Sequence, residues 1–116
     1  MFGFFRKKQV DPEKIDAFCK WFAEKSDAII ASFQNIENDK NTAMLFLDLT
    51  EKELTTVYRD GYKGNIEFEW GFNDNMKKFE LCLFHMGDSY LLKVIPLIKA
   101  RLEPMISEKW FITTSR

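Results

Sequence analysis

Ile66 to Met86 reads IEFEWGFNDNMKKFELCLFHM, and in its first half Ile66, Phe68, Trp70 and Phe72 alternate with Glu67, Glu69 and Gly71. A period of two places every apolar residue on one face of a strand. Asn73, Asp74 and Asn75 tolerate the backbone angles of a turn; beyond them Phe79, Leu81 and Leu83 alternate with Glu80, Cys82, Phe84 and Met86. The stretch predicts an antiparallel hairpin. Cross-strand neighbours share a face, so even-numbered residues of the first strand must meet odd-numbered residues of the second, or Glu67 and Glu69 would be buried. Within that parity the choice lies between two registers. One pairs Trp70 with Phe79 and Phe68 with Leu81 around a four-residue loop, with Glu69 facing Glu80. The other pairs Phe68 with Phe79 around the two-residue loop Asn73-Asp74, with Glu69 facing Lys78.

Upstream, Val10-Asp11-Pro12 opens a helix with Asp11 as N-cap, Pro12 at the first helical position and Val10 spaced to staple against Ile15. Ile15, Phe18, Phe22, Ile29, Phe33 and Ile36 then form one stripe at helical spacing, interrupted by Ser26, and Asn35 to Asn41 forms the following turn. Thr42 to Tyr58 has two parses. As a helix, Ala43, Phe46, Leu47, Thr50, Leu54, Val57 and Tyr58 share a stripe, with Leu45 and Leu49 exposed. Alternatively Ala43 to Leu49 alternates as a strand, and Thr50 with Glu53 then makes a capping box for a short helix. Gly61 suits the left-handed residue that ends a helix.

Downstream, Asp88 or Ser89 caps a helix carrying Leu91, Val94, Ile95, Ile98 and Leu102. Pro96 predicts a loose turn before a helix starting near Ile95, or a kink, and Pro104 is placed just past the helix end. Lys109 to Ser115 alternates again as a closing strand, with Trp110, Ile112 and Thr114 on one face and Phe111, Thr113 and Ser115 on the other.

A chain of 116 residues is read as a single domain, 1–116, with 1–10 as a flexible or tucked N-terminal segment. The net charge of -1 argues against a nucleic-acid partner, which would require a basic surface that releases counterions. Cys19 and Cys82 are far apart without a CxxC, so they predict neither zinc nor a disulfide, and a reduced, cytoplasmic setting follows. No apolar run approaches the roughly 18 residues needed to span a bilayer. Phe2, Phe4 and Phe5 before Arg6, Lys7 and Lys8 suggest contact with an anionic membrane surface, weighed against a terminus tucked onto the domain; the membrane reading is disfavoured.

Phe18-Cys19-Lys20-Trp21-Phe22, Ile66-Glu67-Phe68-Glu69-Trp70-Gly71, Glu80-Leu81-Cys82-Leu83 with Gly87-Asp88, and Trp110-Phe111-Ile112 together resemble an uncharacterised family of small bacterial α+β proteins with an FWxWF-type opening helix. Cys19, Pro96 and the polar Thr113-Thr114-Ser115 ending depart from its pattern. The resemblance favours the helical parse of Thr42 to Tyr58 and implies no activity. The fold class expected is therefore α+β: an N-terminal helix pair, then β-β-α-β, with a mostly antiparallel three-stranded sheet covered by helices. The alternative is a ferredoxin-like βαββαβ order behind an extra N-terminal helix.

Nucleotide-binding, metalloprotease and nucleophile-elbow motifs are absent, and the lone histidine, His85, is read as bonded to backbone near a strand end. No catalytic, cofactor or metal residue is assigned. Glu69 and Glu80 would form an acid/base pair only if directly opposed. Cys82, Phe84 and Met86 point away from the helix-covered face, and Phe111 is expected to join them in an interface rimmed by Glu67, Glu69 and Glu80. The functional reading is a non-enzymatic protein-interaction module, as a homodimer or with an unidentified protein partner. A small enzyme without a recognisable motif and a peripheral membrane protein are the alternatives.

Overall fold

The computed structural model describes residues 10–58, 64 and 66–115. Along the chain come α1 (Pro12–Gln34), α2 (Lys40–Tyr58), β1 (Phe68–Asn73), β2 (Lys78–Phe84), α3 (Ser89–Ile106) and β3 (Trp110–Ser115). This is the α+β order read from the sequence, and the ferredoxin-like alternative falls because residues 43–49 are helical. The assignments at Gly61 and residues 1–9 lie outside the described residues.

Local chemistry accounts for the helix ends. Asp11 accepts the Glu13 N–H at 3.0 Å, and Pro12 follows where its missing N–H would have had no partner. The helix stops at Gln34, so Ile36 sits in the turn, 41% exposed, rather than on the α1 stripe. Ser26 and Ser32, buried within that stripe, donate to the carbonyls of Ala23 and Ile29. α2 begins two residues before Thr42, with Asp39 accepting both the Thr42 N–H at 3.1 Å and its hydroxyl at 2.5 Å. These bonds favour the carboxylate and lower the Asp39 pKa. Thr50 is an interior, fully buried helical residue whose hydroxyl donates to the Phe46 carbonyl, not a cap.

α3 corrects two expectations: Pro104 lies inside it rather than past its end, and no loose turn precedes Ile95, so Pro96 stands within a continuous helix, as the alternative reading had it. A proline leaves the carbonyl four residues earlier without its N–H partner. Here those carbonyls belong to Leu92 and Ala100, on the exposed side, where water can serve them.

The sheet order is β1-β2-β3, with β1 and β2 antiparallel and β2 and β3 parallel, so the sheet is mixed rather than mostly antiparallel. A single crossover helix returns the chain to the end at which β2 began, which forces the parallel sense. In the hairpin Phe68 pairs with Leu83, Trp70 with Leu81 and Phe72 with Phe79. The parity is as expected, but the pairing is shifted by two residues from the register that sets Trp70 against Phe79. The turn explains the shift: Asn73 accepts from the Met76 N–H through Oδ1 and from the Lys77 N–H through its carbonyl, and Lys77 takes the left-handed conformation at φ 58°. Closing there places the loop at Asp74–Lys77.

One core joins the helices to the inward face of the sheet. Phe22 of α1 lies 6.2 Å from the Trp70 ring and 5.2 Å from that of Trp110, while Phe79 lies 5.5 Å from Trp110. Trp110 is buried, and its indole N–H has no oxygen partner among the described residues; the near-perpendicular Phe22 and Trp70 rings surround it. Phe22→Ala should cost about 3–5 kcal/mol of unfolding free energy, since it opens a cavity between α1 and two strands. Chemical denaturation of the variant checks this.

Candidate functional site

Alternation fixes what the other face of the sheet carries. Its rows are Glu67–Phe84–Ser115, Glu69–Cys82–Thr113 and Gly71–Glu80–Phe111, followed by Asn73 beside Lys78. Of the sequence candidates, Cys82, Phe84 and Phe111 therefore share the face opposite the helices, with Phe111 diagonal to Cys82 and beside Glu80. Met86 does not join them. β2 ends at Phe84, and Met86 occupies a left-handed turn at φ 52° and packs against the core. The alternation that placed it assumed a strand two residues longer.

Cys82 is only 9% exposed, a small side chain on the central strand with Glu69 and Thr113 as its neighbours on the flanking strands. Phe84 and Phe111 are half-buried. Glu80 is held in place, accepting from Asn73 Nδ2 at 3.2 Å and from the Thr113 hydroxyl at 2.6 Å. Glu69 faces Cys82 and Glu80 faces Gly71, so the directly opposed carboxylate pair does not form, and neither does the Glu69 to Lys78 pairing.

Sequence reading missed a groove where α2 approaches the start of β1. It encloses about 460 Å³ and is lined by Leu47, Asp48, Glu51, Ile66, Glu67, Phe68, Glu69 and Phe84. Once α2 is a helix, Asp48 and Glu51 are three residues apart and share a side, a signal that was legible but that nothing tied to β1. Phe84 is common to the groove and the sheet face, so an apolar ring is flanked by four carboxylates. Among the described residues no group of three or more His, Cys, Asp or Glu is arranged to hold a metal. His85 Nδ1 accepts the Gly87 N–H at 3.0 Å, the backbone role read for it. No described helix is long and apolar enough to cross a membrane.

Both cysteines are free. Cys19 lies in the core with Sγ donating to the Ile98 carbonyl at 3.8 Å, and burial, aided by the Asp16 charge and opposed by Arg101, pushes its thiol from 9.0 up to about 11. Asp16 and Arg101 are themselves bonded to each other at the surface.

No family model, curated protein or solved structure matches this chain.

The Cys19 thiol makes stability pH-dependent in a defined direction. A group that binds its proton more tightly when folded stabilises the fold fully below its unfolded pKa, and that contribution disappears as pH rises through the folded value. Unfolding free energy should therefore fall between pH 9 and about 11 by more in the native chain than in Cys19→Ala. Urea titrations across that range read the difference.

Proposed function

We propose that the protein is a non-enzymatic interaction module that binds a polypeptide segment bearing apolar and basic side chains. The observation that supports this reading is Phe84, half-buried at the junction of the open sheet face and the groove, with Asp48, Glu51, Glu67 and Glu69 around it. A ring on the partner gains burial against Phe84 and Cys82, while its lysines or arginines meet carboxylates on both sides. Aromatic anchors surrounded by charge suit recognition, with the apolar contact supplying affinity and the charges orientation. The acid/base alternative loses its motivation with the register, because Glu69 and Glu80 are diagonal and Glu80 already accepts two hydrogen bonds.

The test uses a synthetic peptide alternating phenylalanine and lysine, followed by fluorescence anisotropy. Binding should weaken with added salt, as exposed charge pairs are screened. It should be lost in Phe84→Glu while the far-ultraviolet circular dichroism stays native. Absence of binding at millimolar peptide, or binding unchanged in folded Phe84→Glu, overturns the reading. If Phe84→Glu unfolds the chain, Phe84 is a core residue and the face is not a docking surface.

A further inference from the structure

The two edges of the sheet are unequal. On β3, the Lys109 and Ser115 carbonyls turn toward β2, so the backbone groups of Trp110, Ile112 and Thr114 face outward. The middle one is closed: the Ile112 N–H donates to Glu103 Oε2 of α3 at 2.7 Å. On β1 the Glu67 carbonyl accepts from Phe84, so by the same alternation the N–H and C=O groups of Phe68, Trp70 and Phe72 point away from the sheet. Of the usual guards of an edge strand, β1 has neither proline nor lysine between Phe68 and Asn73, and its one charged residue is Glu69. Its inward side chains are also incompletely covered. Phe68 and Trp70 are half-buried, and Phe72 is 47% exposed.

We propose that β1 pairs antiparallel with β1 of a second copy of this chain, joining two three-stranded sheets into one of six strands. The outward backbone groups belong to even-numbered residues, and the pairing that uses the whole strand centres on Trp70 opposite Trp70 of the second copy. Phe68 then faces Phe72 of the second copy, covering the most exposed ring on this strand. On the other face, Glu69 falls opposite Gly71 and Glu67 opposite Asn73, so no two glutamates are directly opposed. Sliding the centre by one position, to Glu69, would set Glu69 against Glu69. The same register carries the Asp74–Lys77 turn of each copy past Glu67 of the other, bringing the exposed Lys77 toward the groove that holds Asp48 and Glu51. Charge, ring cover and backbone hydrogen bonding thus agree on one occupant and one register.

Gly71 gives a register-specific test, because a Cβ added there meets nothing within 4 Å and a side chain is accommodated in the folded subunit. Gly71→Glu places a carboxylate opposite Glu69 of the second copy, twice per dimer, and should weaken dimerisation on the order of ten-fold; Gly71→Lys should strengthen it by a similar factor. Sedimentation velocity over a concentration series measures both. Phe72→Lys, which lies off the open sheet face, should give a folded monomer. In the native dimer the amides of Phe68, Trp70 and Phe72 should exchange hydrogen more slowly as protein concentration rises. A native chain that stays monomeric at hundreds of micromolar, a dimer that persists in folded Phe72→Lys, or a dimer indifferent to the charge at position 71 overturns the proposal. Retained dimerisation in folded Phe84→Glu, with peptide binding lost, separates this edge from the open-face surface.

Discussion

The contact on which the fold depends is that of Phe22 with Trp70 and Trp110. One ring from α1 thereby touches both outer strands, and Trp110 in turn meets Phe79 on the central one. Aromatic side chains bury large areas in preferred tilted arrangements, so a cluster of this kind sets the distance and angle of the helix layer over the sheet. The surface ion pairs, Lys109 with Asp27 at 3.1 Å and Arg101 with Asp16, join α1 to α3 and its following turn, but exposed pairs contribute little. The helices are placed by burial; the charges follow.

Much of this was legible because local periodicity and caps agree. Asp11-Pro12 starts α1 where read, Asp88 caps α3 by accepting the Leu91 N–H, and the parity of the hairpin follows from which residues avoid water. What was not legible depends on geometry beyond the reach of a pattern. The register turned on Asn73 serving two amides of its own turn and on Lys77 adopting a left-handed conformation, neither of which alternation encodes. Pro104 was misplaced, and Pro96 left between a turn and an interior position, because the cost of a helical proline depends on whether the orphaned carbonyl meets water, which requires knowing the exposed side. The parallel sense of β3 was within reach, since one crossover helix dictates it, but strand order was not. Of the candidate surface, Cys82, Phe84 and Phe111 were readable as a face; Asp48 and Glu51 came to it only through the tertiary approach of α2.

The covered and open sides of the sheet divide its chemistry. Toward the helices, β2 buries Phe79, Leu81 and Leu83 completely or nearly so. Away from them the same strand carries Glu80 anchored by Asn73 and Thr113, which holds a carboxylate at a fixed position between two flanking strands. A charge held that way loses little side-chain freedom when something binds beside it, an advantage that a flexible surface glutamate lacks.

The parallel β2–β3 pairing also has a kinetic consequence. The helix pair and the β1–β2 hairpin are each made from neighbouring segments, but β2 meets β3 only after all of α3 has intervened. On a chain emerging from its N-terminus, Trp110 and Ile112 are among the last described core residues to appear, and until they dock β2 has one unpaired side beside an unfilled aromatic core. Loop closure over such a separation is slow, and an apolar strand waiting with one edge open favours encounters with other chains. The interval before β3 arrives is therefore when this protein is most exposed to misassembly.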